Sequence, residues 1–148
     1  MVEARVRYLD GVQFVGEASS GHVVFMDGDN ENGGKNAGLM PADLLLIGLG
    51  SCSGMAVLSI LRKKKQDLTG FEIVVKGEKE DEWPKRFTTI TIEFIVKGNN
   101  LSETAVKRAI ELSMEKYCTV KATLEGSPDV NFGYQIVEES NTLIRENE

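Results

Sequence analysis

The sequence predicts an α+β fold, and three patterns carry that prediction: strand-like alternation in the opening third, a long uncharged run behind a proline, and two more alternating runs before an amphipathic helix. The resulting order, β-β-β-α-β-β-α-β, lacks the regular strand–helix alternation of a doubly wound sheet. No linker rich in proline, glycine and serine interrupts the 148 residues, so one domain over 1–148 is expected.

Each element has a local reason. Val2, Ala4, Val6 and Tyr8 alternate with Glu3, Arg5 and Arg7, and Asp10-Gly11 marks a turn. Gln13 to Ala18 and His22 to Met26, separated by Ser19-Ser20-Gly21, complete an antiparallel meander. The run Asp27 to Gly38 is too polar and glycine-rich to offset its ordering entropy by burial, and a flexible loop over 28–38 is expected. Its acidic residues have neither the spacing nor the terminal glutamate of an EF-hand, which argues against a metal.

Pro41 suits a first helical turn, where its missing N–H is not needed, and no charge falls between Leu44 and Leu61. Arg62-Lys63-Lys64-Lys65 complement the negative end of the helix dipole, and Gly70 punctuates the segment. Such a run also meets the simplest criterion for a membrane span. Gly48, Gly50 and Gly54, the polar Ser51, Ser53 and Ser59, and the β framework on either side favour a central helix buried on nearly all sides, with no membrane partner.

Phe71 to Glu80 and Arg86 to Lys97 read as a hairpin whose acidic turn, Glu78 to Glu82, is solvated. Ser102 is an N-cap for a helix with Ala105, Val106, Ala109, Ile110 and Leu112 on its apolar stripe, ending near Lys116. Thr119 caps a short helical turn to Leu124, Val130 to Val137 forms a last strand, and 139–148 is a polar tail.

Composition narrows the function classes. Against 17 Lys+Arg stand 23 Asp+Glu, a net charge of −6 that repels phosphate backbones and anionic lipids, so no nucleic-acid partner is expected. The first residues lack the basic and apolar regions of a secretory signal, which implies a cytoplasmic location. In that reducing compartment two cysteines are reactive or simply buried thiols rather than a staple.

Gly50-Ser51-Cys52-Ser53-Gly54 matches a nucleophile elbow with cysteine for serine, but the helix begins well upstream and the single histidine, His22, precedes the cysteine. Gly48 and Gly50 do not complete a dinucleotide fingerprint, since Ser53 stands at the third glycine. Two cysteines and one histidine make no zinc spacing, so neither a metal nor a bound cofactor is expected. Redox chemistry asks for less: one stabilised thiolate to attack a peroxide oxygen and a second thiol to resolve the sulfenic acid. Residue type alone leaves this level with two ordinary buried thiols.

The segment Met40-Pro41-Ala42-Asp43-Leu44-Leu45-Leu46-Ile47-Gly48-Leu49-Gly50-Ser51-Cys52-Ser53 resembles the first signature of the OsmC/Ohr family, a proline-led central helix carrying the reactive cysteine. Glu115-Lys116-Tyr117-Cys118-Thr119-Val120 resembles its second cysteine segment, and Trp83-Pro84-Lys85-Arg86-Phe87-Thr88 the intervening hairpin of an uncharacterised OsmC-like branch. The resemblance runs from about Ala4 to Val137. It implies an intertwined homodimer whose two sheets wrap the central helices, with the cysteine pairs near the subunit interface. It further implies a peroxidase of organic hydroperoxides or hydrogen peroxide, with Cys52 peroxidatic, Cys118 resolving, and an external dithiol donor as reductant.

Two positions depart from the family pattern. Ala42 replaces the helper glutamate behind the proline, with Asp43 pointing about 100° away on a helix. Val12-Gln13 stand where the family's first hairpin carries an activating arginine. Candidate substitutes for the arginine are Arg86 and Lys85, Lys116, Arg5 or Arg7, and the N-terminal end of the helix after Cys118. Glu115 is the candidate carboxylate, and Phe14, Phe25, Phe87 and Tyr117 are candidate walls for an apolar tail. The alternative is a non-enzymatic binding module for a small apolar or sulfur-containing ligand, or a structural dimer.

Overall fold

The structure, a computed structural model, describes residues 1–125. The expected strand Val130–Val137 and the tail 139–148 lie outside the described residues. A meander opens the chain: β1 (Ala4–Asp10), β2 (Gln13–Ala18) and β3 (Val23–Met26) pair antiparallel in that order. The register runs from Ala4↔Ala18 to Tyr8↔Phe14, so the Tyr8 and Phe14 rings meet edge to face with centroids 5.6 Å apart. Every residue of β1 is exposed, including Val6 and Tyr8. Alternation specified the strands, yet no element among the described residues covers their apolar face.

The polar loop after β3 is organised around one side chain. Asp27 is buried, and its carboxylate accepts hydrogen bonds from the N–H groups of Gly28 (2.8 Å), Lys35 (3.2 Å) and Ala37 (3.1 Å) and from Gln13 Nε2 (3.3 Å). A 3-10 turn, Asn30–Asn32, is capped by Asp29, and the Asp27 N–H bonds the Leu39 carbonyl at 3.0 Å to close the loop.

Burial pushes the Asp27 carboxyl up, but the hydrogen bonds from Ala37, Gln13, Lys35 and Gly28 outweigh it and hold the group below its ordinary range. A depressed native value means the stabilisation is present above the unfolded pKa, about 3.9, and is lost as pH falls through the native value. Amide exchange tests this: the Lys35 and Ala37 N–H groups exchange at least about tenfold faster in Asp27→Ala than in wild type at neutral pH. Equal rates in the two proteins would show that the carboxylate does not hold the loop.

Helix α1 (Pro41–Lys63) starts with proline in its first turn, as expected, and ends on Arg62 and Lys63. The chain reverses through Lys65, at φ 54°, and enters β4 (Asp67–Lys79), which pairs antiparallel with β5 (Phe87–Asn99). The strand begins earlier than its apolar run suggests, because Gly70 sits inside it at a register shift rather than ahead of it. Ser102 caps α2 (Glu103–Leu112), its Oγ accepting from the Ala105 N–H at 3.2 Å. The described chain finishes in α3 (Thr119–Glu125).

The core lies where α1 and α2 meet the β4–β5 hairpin. Val57, Leu61 and Ala109 are fully buried and are surrounded by Ile60, Leu68, Phe71, Phe94, Val96, Val106 and Ile110, with Phe71 and Phe94 stacked at 6.4 Å. Glycine lets the helix approach the sheet: a Cβ on Gly54 would run into Ile73 Cδ1, and one on Gly50 would lie 2.9 Å from Val75 Cγ2. Within one chain, however, α1 buries a single side. Leu45 and Ile47 are about half exposed and Met55 is 73% exposed, since the described residues supply no element to cover that face.

Candidate active site

The site forms where the middle of α1 passes the end of α2. Cys52 follows Gly50 and Ser51 on the helix and is half-buried, while its neighbour Ser53 turns fully inward. Ser53 Oγ donates back to the Leu49 carbonyl at 2.7 Å and also reaches the Gly50 carbonyl.

The expected helix to Lys116 changes character on the way. After Leu112 the chain widens into a π-helical turn, Ser113–Tyr117, closed by a bond of 2.9 Å from the Cys118 N–H to the Ser113 carbonyl. Ser113 is fully buried, and its Oγ donates to the Ser53 carbonyl at 2.8 Å. Cys118 then takes an extended conformation (φ −83°, ψ 99°) and the chain re-enters a helix as α3.

Cys118, rather than the expected Thr119, occupies the capping position of α3. Its carbonyl accepts from the Ala122 N–H at 3.1 Å, and its sulfur accepts from the Lys121 N–H at 3.4 Å, the role a serine or aspartate oxygen usually plays. The Val120 and Thr119 N–H groups and the Cys118 thiol lie near enough to the Cys52 sulfur to lower its pKa. Both cysteines are free thiols.

This arrangement drives the two groups apart. Hydrogen bonding from the Val120 N–H lowers the Cys52 pKa, burial opposes it, and the Cys118 thiol and Thr119 N–H lower it further. Burial raises the Cys118 pKa, the Lys121 N–H opposes that, and the adjacent Cys52 raises it again by hydrogen bonding and by charge. Cys52 is thus the group that ionises first. Its alkylation in Cys118→Ser will show a midpoint below that of a free cysteine, and that of Cys118 in Cys52→Ser a midpoint above it. Rates followed across pH check the order, and a reversed order would transfer the thiolate role to Cys118.

The proposed side-chain activators are elsewhere. Arg86 is 77% exposed at the hairpin and bonds Glu80 Oε1 at 2.7 Å. Lys85 stands over the Trp83 ring and Lys116 over the Tyr117 ring, at 5.1 and 5.5 Å, and Glu115 is exposed on the π turn. Arg5 and Arg7 face Glu3 and Glu17 within the meander. None of these charges contributes to the shift of either thiol. Gln13, at the position of the missing arginine, serves Asp27, and Ala42 offers no carboxylate. The aromatic candidates are dispersed over β2, β3, β5 and the π turn rather than gathered around Cys52. An open groove of about 340 Å³ between α1 and β4, lined by Leu46, Ile47, Gly50, Ser51, Phe71, Ile73 and Val75, lies beside the cysteine's helix.

Of the sequence candidates, the structure therefore unites Cys52, Cys118 and the first turn of α3, and leaves Arg86, Lys116 and Glu115 outside their hydrogen-bonding circle. Sequence reasoning missed Ser113, whose signal was positional: it falls four residues after Ala109 on the apolar face of α2, where a polar residue needs a buried partner. Among the described residues no group of three or more His, Cys, Asp or Glu could hold a metal ion.

Comparison with known proteins gives a consistent picture. The family model described as OsmC-like protein matches residues 33–133. Protein YhfA of Escherichia coli K12 is 40% identical over 136 residues, covering 92% of this chain and 98% of its own. A hypothetical protein from Aquifex aeolicus VF5 has a crystal structure that superposes with a TM-score of 0.72 at 32% identity, over 84% of this chain and 87% of that one. An organic hydroperoxide resistance protein OsmC from Legionella pneumophila superposes with a TM-score of 0.62 over 85% of this chain and 90% of its own; at 16% identity that likeness is one of fold.

Proposed function

The chain belongs to the OsmC-like family, and from that premise we propose that it is a thiol peroxidase of organic hydroperoxides or hydrogen peroxide, working through Cys52 and Cys118 in oxidative-stress defence. One observation carries the reading: two adjacent free thiols, the more accessible with its pKa lowered by backbone N–H groups and the buried one with its pKa raised. In such a pair the Cys52 thiolate attacks a peroxide oxygen, the O–O bond breaks, and the leaving alkoxide, or hydroxide from hydrogen peroxide, takes a proton to become an alcohol or water. Cys118 then attacks the Cys52 sulfenic sulfur, the S–O bond breaks, and water leaves with the Cys118 proton. A dithiol donor reduces the resulting disulfide and is itself oxidised to a disulfide.

The test is stoichiometric. One equivalent of cumene hydroperoxide will remove both free thiols and leave an intramolecular Cys52–Cys118 disulfide, and a dithiol will restore them. Wild-type protein that consumes no hydroperoxide would sink the proposal. A second reading, a binding module for a small apolar or sulfur-containing ligand, is favoured by the placement of Arg86 and Lys116 away from both thiols. Ligand co-purifying with protein whose Cys52 titrates like a free cysteine would select it.

The working unit in this proposal is a soluble cytoplasmic homodimer. Support comes from the apolar faces of β1 and of α1 that the described residues leave uncovered and a second copy would bury, while the other side of α1 already packs on β4 and α2. Met55 provides the check. A residue so exposed in one chain should cost less than about 0.5 kcal/mol on truncation to alanine, whereas burial by a copy raises the loss to about 2 kcal/mol or more. Sedimentation at twice the chain mass accompanies the second outcome, and a monomer would refute the dimer.

A further inference from the structure

We propose that Ser113 is the positioning residue that sets the register of the two thiols, an inference that rests on reading Cys52 and Cys118 as a redox pair. Its two polar groups face opposite partners. The hydroxyl donates to the carbonyl of Ser53, the residue next to Cys52, at 2.8 Å, and its carbonyl accepts the N–H of Cys118 at 2.9 Å. One fully buried residue thereby ties the backbone beside the attacking sulfur to the backbone of the resolving cysteine.

The π turn explains why such a tie is needed. In a continuous α-helix the Ser113 carbonyl would accept from Tyr117, and Cys118 would be rotated by about 100° from the direction that the wider turn gives it. A π turn is an uncommon backbone state that persists where surrounding contacts hold it, and the Ser113–Ser53 bond is a contact of that kind. From Cys118 the chain enters α3, whose Val120 and Thr119 N–H groups lower the Cys52 pKa, so the same tie also orients the groups that stabilise the thiolate. Disulfide closure demands a Cβ–Cβ separation of about 3.5–4.5 Å, and a turn relaxed to α geometry would move Cys118 out of line.

The decisive measurement uses glutathione and no hydroperoxide: protein dithiol plus glutathione disulfide in equilibrium with protein disulfide plus two glutathione. Ser113→Ala will lower that equilibrium constant severalfold, up to about tenfold, because its dithiol form is free to relax the π turn that the disulfide must restore, and the worth of one ordinary buried hydrogen bond sets the ceiling. Ser53→Ala removes an equally buried hydroxyl but keeps the Ser53 carbonyl, and will stay within about twofold of wild type. Ser113→Ala indistinguishable from wild type, or Ser53→Ala falling as far, overturns the proposal. Should Ser113→Ala not fold, wild-type amide exchange decides: the Cys118 N–H stays protected in both dithiol and disulfide forms, and loss of protection on oxidation overturns it. A normal glutathione equilibrium without hydroperoxide consumption would overturn only the peroxidase reading and leave the role of Ser113 standing.

Discussion

Cys52→Ser will lower dithiol-supported hydroperoxide consumption roughly a thousandfold or more, the scale on which a covalent nucleophile is missed. A serine hydroxyl in the same place keeps the size of the side chain and the N–H donors of Val120 and Thr119, but it does not ionise near neutrality and is far less nucleophilic than a thiolate. Cys118→Ser behaves differently. Its Cys52 should still react once, stopping at a sulfenic acid that dimedone traps, because no second thiol stands beside it to close the disulfide. Consumption followed with and without a dithiol, combined with mass analysis of the trapped protein, separates the two variants. Turnover by Cys52→Ser at the wild-type rate would remove Cys52 from the reaction altogether.

Leu61→Ala will destabilise the protein by about 2–5 kcal/mol, read as a lowered midpoint of chemical unfolding at fixed protein concentration. Leu61 has no exposed surface and belongs to the cluster with Val57 and Ala109 that joins α1 to α2 and to the β4–β5 hairpin. Truncation leaves a cavity that the surrounding Phe71 and Phe94 rings, already stacked on each other, can refill only in part. Cys52 lies more than two helical turns away on α1. The variant is therefore expected to keep the order in which its two thiols ionise while folded, and a loss below about 1 kcal/mol would show that this cluster is not the core.

Much of the fold was legible because its causes are local. Pro41 opens α1, Ser102 caps α2, and the alternation of Ile90, Ile92, Phe94 and Val96 marks the inward face of β5. Boundaries were less legible where a neighbour decides them: Gly70 punctuates the sequence but lies within β4, because Lys65 turns the chain sooner. The loop after β3 read as flexible because its organiser, Asp27, is itself polar and draws its donors from backbone N–H groups that no composition displays.

The family, the two cysteines and the elements that carry them are legible in the order of residues alone, since motif order and hydrophobic period are properties of a linear string. Tertiary structure decided what those cysteines are to each other. A backbone N–H has the same chemistry in every residue but proline, so nothing in the sequence singles out Val120, Thr119 and Lys121 as donors to sulfur. That selection follows from a π turn held through Ser113 to α1, which brings the start of α3 to Cys52 and buries Cys118, while the expected cations, Arg86 and Lys116, are engaged elsewhere, with Glu80 and the Tyr117 ring.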